Sequence, residues 1–371
     1  YARCEARLAA LGRRAAAYPI DASGWLLLEL IAALAGRAGG GGARIAHWPH
    51  GHRAAAVLTH DLEPRRYAYG AGLDRLLARP AAGLPRGALG LVARPARRHL
   101  RADRRAVLAG RDVYCHGLDH RGEPVRGARR VARQLTRARA LLERHLGRTV
   151  DGYRSPRLDR SPDLDRALDR AGFRFDSSHP DVDRENPSHY GRGVRLCLPY
   201  RAPLDDGAGG WRPSRCLEVP LTAPDCIQPL FAGADAAALA DTVRQKAAWV
   251  RASGGCYVAL VHAGVFGPAD AARREAHLQV VGDALAQADT WCTTLPALVE
   301  WWTAREQLHL AGDAASGWRV ANAGPRPVAG ATLLIEAADG ARRVALPALA
   351  PHATYDLPAD GALHACSRPS Q

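Results

Sequence analysis

The feature that most constrains the fold is the regular alternation, across residues 44–308, of short apolar runs with stretches long enough to form helices. The clearest apolar runs are residues 54–59, 113–115, 216–221 and 255–261. Each is rich in β-formers or small apolar residues, as expected of a strand buried on both faces. Strands that alternate with helices predict βαβ units and a largely parallel sheet.

The helices between these runs carry start and stop signals. One apolar stripe at helical spacing runs through residues 131–146, and Gly147 follows it as a C-terminal stop. A second helix is predicted to begin at Ser161, an N-cap residue followed by a first-turn proline, and to end at Gly172. A third helix begins at Thr294.

The two flanks differ from this central region. Residues 1–43 predict a helical segment that ends in a glycine-rich linker. Residues 309–371 contain short strand-like runs separated by turn signals, which predict a small β-rich C-terminal domain. No apolar run reaches the roughly 20 residues that a membrane-spanning helix needs. The chain begins at Tyr1 and contains no methionine, so neither export nor a cytoplasmic location is predicted.

The charge of the chain is strongly positive, with 51 Lys and Arg residues against 37 Asp and Glu residues and a formal net charge of +14. The only lysine is Lys246, and the arginines are dispersed and interleaved with acidic residues. A nucleic-acid surface usually shows a clustered stripe or a recognition motif, so we predict no nucleic-acid partner. Strongly salt-dependent binding to duplex DNA would instead support a nucleic-acid-binding function. The excess charge remains compatible with association with an anionic glycan or cell envelope through long-range steering.

Two carboxylates follow the first apolar run. Asp61 and Glu63 stand two positions apart, and in extended backbone such residues point to the same side. One carboxylate could hold a metal ion while the other takes a proton from water. The alternative is an acidic pair on the surface at the end of a strand.

Three further polar motifs, with four residues of interest, each follow an apolar run or open a loop. His116 and His120 have the i, i+4 spacing that places two imidazoles on one helical turn, within reach of one metal ion. Arg154 stands beside Tyr153 in a segment that restricts a guanidinium able to orient a carboxylate. His262 ends the run 255–261 and has the ordinary pKa of a proton donor near neutrality. Taken singly, these features are more simply explained as an accidental pair, an exposed arginine and a structural histidine.

In order and rough spacing, these motifs together resemble the polysaccharide deacetylase family, also called the NodB-homology domain or carbohydrate esterase family 4. The resemblance covers roughly residues 44–305. The Thr-His-Asp-x-acid motif resembles a variant branch of that family. The matching segments are Thr59-His-Asp-Leu-Glu63, His116-x-x-x-His120, Tyr153-Arg-Ser-Pro156, Gly172-Phe-Arg-Phe-Asp-Ser-Ser178 and Leu260-Val-His262.

The resemblance implies an α/β fold, a distorted (β/α) barrel with fewer than eight regular units and a small C-terminal β appendage. It also implies a divalent metal ion, most often Zn²⁺. The family's commoner motif has two adjacent aspartates, whereas Leu62 separates the acids here, so an exchange of roles between the two carboxylates stays open. The implied metal ligands are Glu63, His116 and His120; the implied catalytic residues are Asp61 as general base, Arg154 orienting it, His262 as general acid and Asp176 supporting the charge network.

The function implied by this resemblance is hydrolysis of a carbon–nitrogen bond other than a peptide bond, by removal of N-acetyl groups from an amino-sugar-containing glycan. Two alternatives remain at this point. One is a degenerate barrel that binds a glycan without hydrolysing it. The other is a hydrolase of a different non-peptide C–N bond.

Overall fold

The computed structural model describes residues 23–39, 42–64, 66, 68–74, 87–121, 127–182, 193–224, 236–262, 282–283, 286–337 and 340–358. Residues 1–22 of the predicted N-terminal segment and residues 359–371 of the predicted C-terminal domain lie outside the described residues.

The main sheet is built around parallel strands. Its members, numbered along the chain after a first short strand β1 (Ala43–Ile45), are β2 (Ala54–Leu62), β3 (Ala88–Leu91), β4 (Val113–Cys115), β5 (Gly152–Tyr153), β6 (Phe175–Asp176), β7 (Tyr200–Asp205), β8 (Trp211–Glu218), β9 (Ala223–Pro224), β10 (Cys256–Leu260) and β11 (Thr290–Thr293). Their order is β7-β8-β6-β5-β4-β3-β2-β10-β9, and β11 also pairs with β2. Within the described residues, only the outer strand β7 runs antiparallel to its neighbour.

Strand β2 is the centre of this sheet, and all of its residues are buried. Its first half pairs with β11 and its second half pairs with β3, while β10 lies along its other edge. A strand covered on both edges and both faces explains the continuous apolar run at residues 54–59. Among the described residues, no pairing joins the outer strands β7 and β9.

Helices follow or connect these strands as the sequence predicts. The described helices are α1 (Ser23–Gly39), α2 (Ala93–His99), α3 (Ala102–Leu108), α4 (Ala128–Leu146), α5 (Pro162–Ala171), α6 (Ala236–Ala252) and α7 (Leu295–Arg305). The Ser161 hydroxyl caps α5 by accepting a hydrogen bond from the Leu164 N–H at 3.2 Å. Gly147 and Gly172 end α4 and α5 in the left-handed conformation.

Two three-stranded antiparallel sheets lie beside the main sheet. Their further strands are β12 (Leu308–Asp313), β13 (Gly317–Asn322), β14 (Thr332–Ala337), β15 (Gly340–Ala345) and β16 (Thr354–Leu357). One sheet has the order β1-β14-β15 and the other β12-β13-β16, so the predicted C-terminal strands are present. Their residues share one hydrophobic core with the main sheet and α7. The boundaries at residues 43/44 and 308/309 stay predictions.

The predicted α/β class is therefore confirmed, with a parallel sheet, flanking helices and a small C-terminal β region. Within the part of the chain that the structure describes, no helix combines the length and apolar character required to cross a membrane.

Candidate active site

The predicted site residues gather at one edge of the main sheet. Parallel strands present their carboxyl ends on the same side, and catalytic groups of α/β barrels stand there. Each of these side chains belongs to the last two residues of a parallel strand or follows that strand within a few residues. They are Asp61 and Glu63 at the end of β2, His116 and His120 after β4, Arg154 after β5, Asp176 at the end of β6 and His262 after β10.

Asp61 and Arg154 form the buried centre of the site. Their exposed fractions are 1% and 0%. The Nη1 atom of Arg154 lies 3.4 Å from Oδ1 of Asp61. The Tyr114 hydroxyl donates to the same Oδ1 at 2.5 Å and accepts a hydrogen bond from Nη1 of Arg154 at 2.7 Å. The predicted orienting role of Arg154 therefore has a geometric basis, and Tyr114 is part of the same arrangement.

The electrostatics keep Asp61 ionised. Burial by itself would raise the pKa of this carboxyl group. The charges of His116, Arg154 and His262, together with the Tyr114 hydrogen bond, outweigh burial and hold the pKa of Asp61 well below its usual value. Because His116 is itself neutral near pH 7, Arg154 is the permanent positive charge beside Asp61 at that pH.

The segment that follows β6 holds the guanidinium of Arg154 through hydrogen bonds to Ser177. Its Nε donates to the Ser177 carbonyl and its Nη2 to the Ser177 hydroxyl, each at 2.9 Å. Its Nη1 also donates to the Thr59 hydroxyl at 2.9 Å. Asp176 connects to this arrangement because its Oδ1 accepts a hydrogen bond from the Ser177 N–H at 2.9 Å. Asp176 therefore acts on Arg154 through Ser177.

His116 has the features of a metal ligand. Its Nδ1 makes a 3.0 Å hydrogen bond with the Arg154 carbonyl, which requires the proton on Nδ1 and leaves a lone pair on Nε2. That Nε2 is buried without a hydrogen bond and lies 3.7 Å from Oδ2 of Asp61. Burial lowers the pKa of His116 to about 4, so the ring is neutral near pH 7.

The Glu63 carboxylate lies between His120 and His262. Its Oε2 is 3.3 Å from Nε2 of His120, and its Oε1 is 3.6 Å from Nε2 of His262. The rings of His116 and His120 meet edge to face, with centroids 5.1 Å apart. These distances bring the predicted ligands and the predicted general acid into one cluster beside Asp61.

One local prediction about the histidine pair is wrong. Residues 116–121 form a bend and not a helix, and His120 has a positive φ of 62°. The i, i+4 spacing therefore brings the rings together through a tight bend after β4. Gly117, with a φ of 80°, allows the chain to fold back.

The donor set fits the implied metal ion in chemistry. Two imidazoles and a carboxylate are ligands that Zn²⁺ accepts, and an unpaired, buried Nε2 on His116 is a donor that an ion would satisfy. Among the described residues, a tighter group exists elsewhere: donor atoms of Asp176, His179 and Glu218 lie within 4.8 Å of one another. This second cluster lies at the ends of β6 and β8.

Tyr114, Thr59 and Glu218 belong to the site although no role was predicted for them. Two of them were accessible from the sequence, because Tyr114 lies two positions before His116 and Thr59 two positions before Asp61, and residues at that spacing share one face of a strand. Glu218 ends an apolar strand, and no local signal separates it from a surface acid.

Comparisons with known proteins bear on the fold. No protein-family model matches the sequence, and no curated protein matches it. A structure from Mycobacterium smegmatis assigned as a polysaccharide deacetylase is 22% identical, covers 70% of this chain and 93% of its own, and gives a TM-score of 0.54. A structure from Pseudomonas aeruginosa PAO1 with the same assignment is 18% identical, covers 70% of this chain and 94% of its own, and also gives 0.54.

The Puue allantoinase structure is as similar as these two. It is 18% identical, with a TM-score of 0.54, and covers 70% of this chain and 94% of its own. At these identities the similarity establishes the fold, over nearly the whole length of each of the three structures. The chain therefore has the NodB-type fold of the polysaccharide deacetylases, and the family resemblance of its motifs is confirmed at the level of that fold.

Proposed function

We propose that this chain is a metal-dependent hydrolase that removes N-acetyl groups from an amino-sugar-containing glycan. One observation carries the proposal: an ionised, buried Asp61, held by Arg154 and Tyr114, faces the unpaired Nε2 of His116. A buried carboxylate with a lowered pKa beside an unsatisfied imidazole nitrogen is typical of a catalytic site.

The residues proposed to hold the ion are His116, His120 and Glu63. Zn²⁺ is the proposed ion because imidazole and carboxylate donors suit it. When bound, such an ion polarises a carbonyl group and makes water more acidic. Asp61 is engaged by Arg154 and Tyr114, whereas Glu63 lies 3.3 Å from His120. These contacts support Glu63 as the ligand and Asp61 as the base.

The chain's own residues supply the proton transfers. Asp61 accepts a proton from the attacking water, and Arg154 holds its carboxylate in the orientation that this transfer requires. His262 is 6% exposed and its Nε2 lies 3.6 Å from Glu63. In this proposal it protonates the leaving amine, which is a poor leaving group without a proton. Tyr114 and Ser177 keep Arg154 from turning away.

The experiment is acetate release from N-acetylated glycan oligomers, with and without a chelator. We expect release that a chelator abolishes and added Zn²⁺ restores, and that His116→Ala and Asp61→Asn each lower by at least about 100-fold. Release that is unaffected by chelation and by His116→Ala would contradict the metal mechanism. Stoichiometric metal binding without hydrolysis across a panel of amides would favour the degenerate glycan-binding barrel.

A second candidate is hydrolysis of another non-peptide C–N bond. It is supported by the Puue allantoinase structure, whose TM-score of 0.54 equals that of the two structures assigned as polysaccharide deacetylases. The same base, acid and metal ligands would act on a cyclic amide, since the amide carbonyl is the shared reacting group. A panel that contains allantoin beside N-acetylated glycans separates the two candidates by the product formed.

A further inference from the structure

Two buried acids face each other behind the proposed catalytic site. Asp176 and Glu218 end the neighbouring parallel strands β6 and β8 and are directly paired in register. Their exposed fractions are 2% and 4%. Two ionised carboxylates at such a position would repel each other in a medium that solvent does not screen. The pair therefore needs either a proton or a cation between its members.

The hydrogen bonds around the pair identify the carboxylate oxygen that lacks a donor. Asp176 Oδ1 accepts from the Ser177 N–H at 2.9 Å and from the Ser178 hydroxyl at 2.6 Å. Glu218 Oε1 accepts from the His179 N–H at 3.0 Å. Asp176 Oδ2 is buried, and among the described residues no amide, hydroxyl or ring N–H donates to it. The neighbouring carboxyl group is that of Glu218, which is paired in register with Asp176 and has an oxygen within 4.8 Å of it, and a carboxyl group becomes a donor when it is protonated.

The surroundings favour that proton. Burial and then the charge of Asp176 raise the pKa of Glu218 well above its usual value, and Asp165 raises it further. Asp176 has a raised pKa as well, with burial as the largest cause. The other titratable groups that interact with the pair are Arg154, Asp165, His179, Tyr200 and Cys216.

A cation is the alternative partner for this cluster. Donor atoms of Asp176, His179 and Glu218 lie within 4.8 Å of one another, which is close enough for a shared ion. Nδ1 of His179 hydrogen-bonds the Tyr200 hydroxyl at 2.7 Å, and Nε2 lies 3.5 Å from Oδ1 of Asp165. A proton between the two carboxyl groups needs no contribution from that ring.

We infer that Glu218 is a positioning residue: as a neutral acid it donates a hydrogen bond to Oδ2 of Asp176, and through Asp176 it holds Ser177 and Arg154 in place. The connection is continuous. Asp176 holds the Ser177 N–H, Ser177 accepts two hydrogen bonds from Arg154, and Arg154 holds Asp61. The effect on hydrolysis rests on the proposed function, whereas the protonation of Glu218 does not.

The experiment compares wild-type protein with Glu218→Gln and Glu218→Ala. The glutamine amide keeps a donor for Asp176 and an acceptor for the His179 N–H, whereas alanine removes both. We expect infrared spectra near neutral pH to show the carbonyl band of a neutral carboxylic acid in the wild type and to lack it in Glu218→Gln. We expect Glu218→Gln to keep kcat within about threefold and Glu218→Ala to lower it about 10- to 100-fold, because misplacement of Arg154 disturbs Asp61.

A second measurement reports on Arg154 without any substrate. The Nε–H of Arg154 gives an NMR resonance that Arg154→Lys identifies by its disappearance. We expect this resonance to shift in Glu218→Ala and to stay in place in Glu218→Gln. If the wild type hydrolyses none of the substrates, the proposed function fails, and the carboxylic acid band and this resonance decide the present inference by themselves.

Three results would overturn the inference. The first is a neutral carboxylic acid band that persists unchanged in Glu218→Gln. The second is an Arg154 resonance, or a kcat in an active enzyme, that is the same in all three proteins. The third is a Glu218→Gln protein as impaired as Glu218→Ala that has also lost one bound metal ion per chain. That last result would show that both carboxylates hold a cation.

Discussion

Gly90→Ala tests the candidate site at its tightest point. Gly90 lies on β3, paired with Asp61 of β2. A methyl group at this position would stand 2.5 Å from Cε2 of Tyr114 and would also clash with Oδ1 of Asp61, although real Cβ contacts essentially never fall under 3.0 Å. The two groups are joined by a hydrogen bond of 2.5 Å, so they cannot both retreat and keep it.

These distances set the expected losses of stability and of kcat in Gly90→Ala. Tyr114 has to move by about 0.5 Å, the difference between 2.5 and 3.0 Å, and Asp61 has to move as well. Overpacking of this kind costs about 1–3 kcal/mol of stability. A displaced base costs up to about 100-fold in rate, and we expect a 10- to 100-fold loss in kcat.

The assay is acetate release together with urea unfolding, performed on Gly90→Ala and on a matched control, Gly110→Ala. A methyl group on Gly110 meets nothing within 4 Å, so this control should keep its kcat and its free energy of unfolding. A Gly90→Ala enzyme with wild-type kcat would refute the argument that Asp61 and Tyr114 must keep their present positions.

Three further predictions concern the metal ion, the arginine and the acid pair. His116→Ala should weaken Zn²⁺ binding at least about 100-fold in equilibrium dialysis. The control His309→Ala, which changes an exposed histidine, should bind Zn²⁺ as the wild type does. Equal Zn²⁺ affinities of the two variants would exclude His116 as a ligand. Arg154→Lys should lower the free energy of unfolding by about 2–3 kcal/mol, because acceptors buried around the guanidinium lose their donors. The control Arg319→Lys, in an exposed ion pair with Asp356, should leave the free energy of unfolding nearly unchanged, and equal losses in the two variants would contradict this prediction. The pKa of Glu218 is raised in the folded protein. Above the pKa that Glu218 has in the unfolded chain, the folded protein therefore binds one proton more than the unfolded chain. The free energy of unfolding then falls as the pH rises, by up to about 1.4 kcal/mol per pH unit. Glu218→Gln should remove this decline from urea unfolding measured between about pH 6 and about pH 8, and parallel profiles would show that Glu218 carries no proton there.

Local signals in the sequence were sufficient to predict several elements. Helix α5 begins after Ser161 and ends before Gly172 as predicted, because a hydroxyl cap and a left-handed glycine act within a few residues of themselves. The predicted strand at residues 113–115 is confirmed without change. The central strand was predicted as residues 54–59 and extends to Leu62, since pairing with β3 keeps its polar end extended.

Local sequence signals also predicted part of the candidate site. Asp61, His116 and His262 each follow an apolar run and Arg154 opens a loop, and the order of their motifs along the chain was sufficient to group them. Their assigned roles stay predictions. The histidine pair was predicted on a helix, whereas a bend brings the two rings together.

Tertiary structure alone decided which groups surround these residues. Tyr114 meets Asp61 across 53 positions of sequence, and Glu218 meets Asp176 because β8 pairs with β6 in register. Such pairings depend on strand order, which the local backbone preferences of either strand do not encode. The sequence by itself therefore determined the elements and the residues able to carry chemistry. The sheet register determined which carboxylate meets the arginine and which acid keeps a proton, because burial and neighbouring charge set those properties.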